Sequence, residues 1–121
     1  MARYNTDGSL DNPFSDNGKN ISLSLLNAVV IQKDGKIVVA GGLRAFEIGR
    51  FNMDGSIDNT FSEDGYQTND FSPDGESDDD NYSAEAVAIQ EDGKIVVSGQ
   101  KRFTYRGSSS RFTLARYNSD G

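Results

Sequence analysis

Two stretches of the 121-residue sequence carry side-chain oxygens at alternate positions: Asn5-x-Asp7-Gly8-Ser9-x-Asp11 and Asn52-x-Asp54-Gly55-Ser56-x-Asp58. Calcium loops space their ligands likewise, because a hard cation gathers roughly six to eight oxygens around a sharp glycine turn. Here Arg3 and Arg50 stand two residues before each motif, where a cation removes a ligand and repels the metal. Counted from those arginines, which puts Gly8 and Gly55 at the sixth position, the twelfth positions are Phe14 and Phe61, not a bidentate Glu. The expectation is therefore an Asx turn that bonds its own backbone. A second metal candidate is the acidic run Asp78, Asp79 and Asp80, followed by Asn81, which can hold Ca²⁺ weakly or stay solvated. No other cofactor is indicated.

Two further groups invite a binding role. Lys101, Arg102, Arg106 and Arg111 form a run of positive charge with Phe103 and Tyr105 among them. Asp70, Asp74, Glu76, Asp78, Asp79 and Asp80 form an opposite run. From these stretches Tyr82, Arg102, Phe103, Tyr105 and Arg106 are taken as candidate ligand-binding residues. Tyr66, Tyr82, Phe103 and Tyr105 would be stacking platforms if the ligand were a sugar. Arg3, Arg50 and Arg116 recur at one position of an otherwise mostly apolar segment. They are either a ring of anion-binding groups or structural residues, each paired with an Asp of the adjacent turn, since a half-buried Arg needs a carboxylate.

Composition excludes more chemistry than it suggests. There is no His, Cys or Trp, so zinc-finger, iron–sulfur, disulfide, Ser-His-Asp and Cys-His sites lack their ligands or bases. The formal charge of −7 repels a phosphate backbone, so nucleic acid is not an expected partner. No apolar run is long enough to cross a membrane as a helix, and no apolar segment of a secretory signal follows Met1. Nothing singles out a pair of carboxylates for catalysis, and no enzyme activity is expected.

The elements that position these groups are repeats. Ala2-Arg3-Tyr4-Asn5-Thr6-Asp7-Gly8-Ser9-Leu10-Asp11-Asn12 returns as Gly49-Arg50-Phe51-Asn52-Met53-Asp54-Gly55-Ser56-Ile57-Asp58-Asn59, and begins again as Ala115-Arg116-Tyr117-Asn118-Ser119-Asp120-Gly121. Ala28–Val39 matches Ala86–Val97, and Phe14-Ser15 returns as Phe61-Ser62. Units fall at about 2–48 and 49–114, with a third beginning at 115–121. The second unit is longer at two places only. Gly18 to Ala28 is 10 positions but Gly65 to Ala86 is 21, and Gly41 to Phe46 is 5 but Gly99 to Phe112 is 13. Those insertions mark loops on a fixed frame.

Gly, Ser, Asn and Asp supply 51 residues, so the chain reverses often. Val29–Ile31 and Ile37–Val39 flank Asp34-Gly35, a hairpin signal, and give strands A and B. Strand C is Phe46–Asn52, with Phe112–Asn118 as its copy. Strand D is Lys19–Leu25 in the first unit and Tyr66–Phe71 in the second. No sustained 3.6-residue period argues for helix. Four short antiparallel strands per unit of this size predict an all-β chain of propeller blades, two four-stranded units per chain.

These motifs resemble the delta-60 repeat family of bacteria, whose units run A-R-Y-N-x-D-G-S-L-D, then an F-S/G-x-x-G element, then A-V-A-x-Q-x-D-G-K-I-V-V-A-G. The resemblance covers nearly the whole chain and implies a β-propeller-like repeat scaffold, usually in large exported or cell-surface proteins. It implies no catalytic residue. Leu23–Leu26 departs from the family, whose linker there is acidic or glycine-rich. Two blades leave apolar faces open, and propellers have roughly four to eight. The expected partner is therefore the chain itself, as a homotrimer of six blades first and a homotetramer of eight second, with an N-terminal strand donated to a neighbour's last blade. The A–B and C–D turns lie on one face and the D–A and B–C connections on the other. The second face carries both insertions, and a protein or glycan ligand is expected there.

Overall fold

A computed structural model describes residues 1–15, 17–19, 25–71, 81–103 and 109–121, with Phe103 described by its backbone alone. Among the described residues there are seven strands: β1 (Leu26–Ile31), β2 (Ile37–Gly41), β3 (Phe46–Phe51), β4 (Tyr66–Asn69), β5 (Asn81–Ile89), β6 (Ile95–Phe103) and β7 (Ser109–Tyr117). They form two antiparallel sheets, β1-β2-β3-β4 and β5-β6-β7, and no helix is found among the described residues. The first sheet is a complete A-B-C-D blade whose D strand comes from the following unit. The second is an A-B-C set, which corrects the expectation of two four-stranded units: among the described residues no fourth strand pairs with β7.

The hairpins form where Asp-Gly predicts them. Gly35 and Gly93 take φ of 85° and 84°, the left-handed region that favours glycine. Gln32 N–H donates to the Lys36 carbonyl, and Asp34 Oδ1 accepts the Lys36 N–H. The register then runs Val29 against Val39 and Ile37 against Phe51. Each A strand carries a bulge at the same place, at Asn27 in β1 and Glu85 in β5. Opposite each bulge is a glycine that admits no side chain. A Cβ on Gly41 would lie 2.1 Å from the Leu25 carbonyl oxygen, and one on Gly99 would lie 1.9 Å from that of Ser83.

The longer second unit departs from the expectation of plain loops. Part of each insertion extends the strands, pairing Asn81 with Arg102, Tyr82 with Lys101, and Lys101 with Arg111. Once β6 is started by Ile95–Val97, the antiparallel ladder satisfies the next backbone groups by continuing, whatever the β-propensity of Gln100-Lys101-Arg102. Of strand D in the first unit, residues 20–24 lie outside the described residues. Lys19 bridges to Ala2 as Tyr66 does to Gly49, the same step of the repeat.

The main core lies between the sheets. Val38, Ala40, Phe46 and Ile48 of the first sheet face Tyr82, Ala84, Ile95, Val97 and Tyr117 of the second, with Phe61 among them. The other face of the first sheet, Ile37, Val39 and Phe51 with Leu26 beside them, is covered by Phe14 and Met1. Phe14 thus does for one blade what Phe61 does for the next.

Two glycine substitutions separate these constraints. Gly93→Ala places a Cβ in ordinary contact with Ser119 Cβ at 3.5 Å, without a clash, and costs about 1 kcal/mol through its backbone angle alone. Gly99→Ala meets backbone that cannot yield. Thermal denaturation is expected to show a drop for Gly99→Ala that exceeds that of Gly93→Ala by at least about 4 °C.

Candidate functional site

The alternating-oxygen motifs close on themselves. Asp7 Oδ1 accepts the Ser9 hydroxyl at 2.6 Å and the Ser9 N–H at 2.9 Å, and Asn5 Nδ2 donates to Ser9 Oγ at 3.0 Å. Asp54, Ser56 and Asn52 repeat this arrangement at the same distances. Those serine bonds hold the Asp7 and Asp54 carboxyls below the usual carboxylate range. The last acid of each motif, Asp11 or Asp58, turns instead to the arginine that precedes it. No cluster of three or more potential metal ligands occurs among the described residues. The motif is an Asx turn.

Arg50 and Asp58 are both buried, and Arg50 Nε donates to Asp58 Oδ2 at 2.6 Å. Lys36 Nζ reaches the same oxygen at 2.7 Å. Thr60 donates its hydroxyl (2.7 Å) and its N–H (3.1 Å) to Asp58 Oδ1. Burial pushes the Asp58 carboxyl up, but the bonds from Lys36, Thr60 and Arg50 outweigh it and hold the group far below the ordinary range. The Arg50 guanidinium also lies over the Phe61 ring at 4.9 Å and donates through its Nη1 to the Ser119 carbonyl of the next Asn-x-Asp-Gly turn. Ser62 N–H bonds the Asp120 carbonyl at 2.8 Å.

The first repeat makes the same latch one step earlier. Arg3 pairs with Asp11 at 2.6 Å, lies 4.4 Å from the Phe14 ring centre, and donates to the Met53 carbonyl, while Ser15 N–H bonds the Asp54 carbonyl at 2.7 Å. Each motif therefore grips the turn of the motif that follows. The recurring arginines at positions 3 and 50 are structural, as the carboxylate argument requires.

Of the five candidate binding residues, two have described side chains. Arg102 is exposed on β6, beside Asn81. Tyr82 is 1 % exposed, and the structure corrects its assignment as a platform. Its ring lies 5.6 Å from that of Phe71, with the Lys101 ammonium 5.1 Å from its centre, so it is core. Extending β5 back to Asn81 alternates Tyr82 and Ala84 inward, which is why a residue expected on a loop is buried. Tyr66 is half-buried, edge-on to Phe51. Phe103 falls on β6 by its backbone. Tyr105, Arg106, Asp78, Asp79 and Asp80 lie outside the described residues.

Where the two sheets meet, on the face of the D–A and B–C connections, there is a polar groove of about 400 Å³. It is lined by Asn27, Leu43, Asn81, Ser83, Glu85, Gln100 and Arg102. Asn27 Nδ2 crosses between blades to Ser83 Oγ (3.1 Å) and the Ala84 carbonyl (2.8 Å), and Gln100 donates to Glu85. Asn27 and Glu85 are the two bulge residues. A bulge re-aims its side chain, and that is the signal sequence reading lacked for them.

The sequence profile of the family described as "Domain of unknown function (DUF5122) beta-propeller" matches residues 1–14, 32–61 and 90–121, well over half of the chain. The chain belongs to this family. DUF5122 is of the delta-60 repeat type that the motifs resemble. No curated protein and no solved structure matches the chain. The DUF5122 segments contain the side chains of the latch: Arg3, Asp11 and Phe14, then Lys36, Arg50, Asp58 and Phe61. They leave out Asn27 and residues 62–89, where the second unit's first insertion and most of the groove's A-strand wall lie. In this DUF5122 chain the family pattern thus holds the side chains of the blade-to-blade grip, and four of the groove's seven lining residues lie outside that pattern.

The latch makes a pH prediction. Because the Asp58 pKa is lower folded than its ordinary value of 3.8, its contribution to stability is complete above that value and is lost as pH falls below it. Denaturant midpoints are expected to fall from about pH 4 down to about pH 2, and Asp58→Asn should flatten that dependence. At neutral pH, Asp58→Asn should cost about 3–5 kcal/mol by leaving Arg50 and Lys36 without their carboxylate.

Proposed function

We propose that this DUF5122 propeller chain is a non-catalytic repeat scaffold that self-associates into a closed ring and binds a ligand on the face of its D–A and B–C connections. One comparison carries the first half. Phe46 and Ile48 of the first blade are fully buried against the second, whereas Phe112 and Leu114, their equivalents in the second blade, are 77 % and 58 % exposed. At the opposite end, Val29 and Ile31 are 61 % and 68 % exposed, while their equivalents Val87 and Ile89 pack on the inter-sheet core. The two open faces are the two halves of the interface already built inside the molecule. A copy docked front to back repeats that interface and generates a head-to-tail contact, which closes if its rotation permits. With two blades per chain, a homotrimer gives six blades and a homotetramer eight, both within the propeller range.

The groove supports the second half, since it opens on the proposed face and spans two blades. Its amides, hydroxyl and Glu85 both donate and accept, and Leu43 offers an apolar contact, a lining suited to a polyhydroxylated ligand. This favours a carbohydrate over a protein as the occupant.

Light scattering is expected to give a particle of about three times the chain's 13.2 kDa, or four times as the second choice. Phe112→Asp should release subunits and leave the circular dichroism of the chain unchanged. A stable monomer from the unaltered chain would refute the ring. For the ligand, a glycan array should yield binders that Arg102→Ala weakens, and an array blank at high protein concentration removes the carbohydrate reading.

A further inference from the structure

The groove between the sheets does not stop at Gln100 and Arg102. On their far side lies a second hollow of about 240 Å³, whose other walls are Ser109 and Ser110. Strand pairing explains the continuity. Arg102 stands opposite Asn81 of β5 on one side and Ser110 of β7 on the other, and Gln100 lies two residues away on the same face of β6. One row of side chains therefore crosses three strands, and its ends, Asn81 and Ser110, are roughly 10 Å apart. Lys101, between Gln100 and Arg102, turns to the opposite face and sits over the Tyr82 ring. The row belongs to the two insertions. The β2–β3 ladder stops at Gly41–Glu47, whereas the β6–β7 ladder passes the matching pair, Gly99–Thr113, and runs on to Phe103–Ser109.

The polar groups along this path are already fixed, with capacity left over. Ser83 Oγ accepts from Asn27 Nδ2, so its hydroxyl proton remains to be donated. Gln100 Nε2 donates to Glu85 Oε1, so Glu85 Oε2 remains to accept. Arg102 differs from both. It is exposed, it is the one cation of the groove's lining, and it makes no hydrogen bond or ion pair among the described residues. Its planar fork of donors matches a carboxylate through two parallel bonds, and no acid of this chain takes that place among the described residues.

We infer that the groove takes an acidic saccharide of at least two units, one ring in each hollow, with a carboxylate of the ligand on the Arg102 guanidinium between them. This rests on the carbohydrate reading of the groove and names its class. Hydroxyls of the first ring meet Ser83, Asn27 and Glu85 Oε2, with Leu43 against its apolar side, and those of the second ring meet Ser109 and Ser110. A uronate suits the site better than a densely sulfated chain. The protein offers one guanidinium here and carries a net charge of −7, which repels a ligand of high charge density.

Titration calorimetry with digalacturonate and dimannuronate, each beside its uncharged methyl ester, tests the assignment. At least one acid should bind at least about tenfold more tightly than its ester, the difference that a charge-assisted hydrogen bond makes. Arg102→Ala should close that gap and Arg102→Lys should restore part of it, a pattern that loss of a merely structural contact does not give. Ser110→Trp, at an exposed position, fills the second hollow and should bring the affinity for the disaccharide down to that for the single uronate. Acids bound no more tightly than their esters, an acid preference that survives Arg102→Ala, or a disaccharide bound undiminished by Ser110→Trp overturns this inference. Neutral glycans that bind the unaltered chain on an array would then leave the carbohydrate reading standing, whereas an array blank for neutral and acidic glycans alike overturns both.

Discussion

A buried ion pair that belongs to no single blade governs the arrangement. Arg50 ends a strand of the first sheet, while Asp58 follows the turn after it, and both are almost wholly removed from water. Desolvating two charges costs several kcal/mol each, and the attraction offsets this only with good geometry and every remaining polar site bonded. The structure meets that condition with Lys36, Thr60, the Ser119 carbonyl and the Phe61 ring. Because Ser119 lies in the next motif, satisfying the charge requires the next blade to be in place. The pair therefore specifies the stacking of repeats as much as it stabilises any one of them.

That dependence explains the division of apolar surface. Each sheet is short, and a blade has two faces to cover. The first blade is served on one face by the second blade and on the other by Phe14, which Arg3 and the Ser15–Asp54 bond hold down. The Arg latch and the Phe plug occupy one motif three residues apart, Asp11 with Phe14 and Asp58 with Phe61, so the electrostatic grip and the apolar seal cannot be separated. Packing accounts for the area buried, and the latch accounts for the register at which it is buried.

Several of these features were legible in the sequence because they depend on local chemistry. Asp34-Gly35 and Asp92-Gly93 specify hairpins through a backbone angle that glycine tolerates, and both form. An arginine recurring on an apolar strand demands a carboxylate, and the adjacent turn supplied it. Matched intervals between repeats separated framework from insertion. The illegible parts depend on pairing at a distance. Tyr82 sits in an insertion of Asp, Asn and Ser that reads as loop, yet its burial follows from a ladder started by Ile95–Val97 across the hairpin. Asn27 and Glu85 reach the groove because each is one residue too many for its partner strand, a mismatch visible only once Gly41 and Gly99 are set opposite them.

The bulge links the groove to the scaffold. Gly41 and Gly99 admit the bulged backbone because they lack a Cβ, and the bulge turns Asn27 out of the ladder so that it bonds across to the next blade's A strand at Ser83 and Ala84. Glu85 occupies the same position one blade later and bonds only within its own sheet, to Gln100. A residue at this place thus has two uses. Asn27 ties adjacent blades together and lines the groove at once, and Glu85 lines it from the second blade. The walls of the groove are consequently fixed by the same inter-blade stacking that the Arg–Asp latch imposes, and any ligand bridging Asn27 and Arg102 reads the junction between two blades rather than the surface of one.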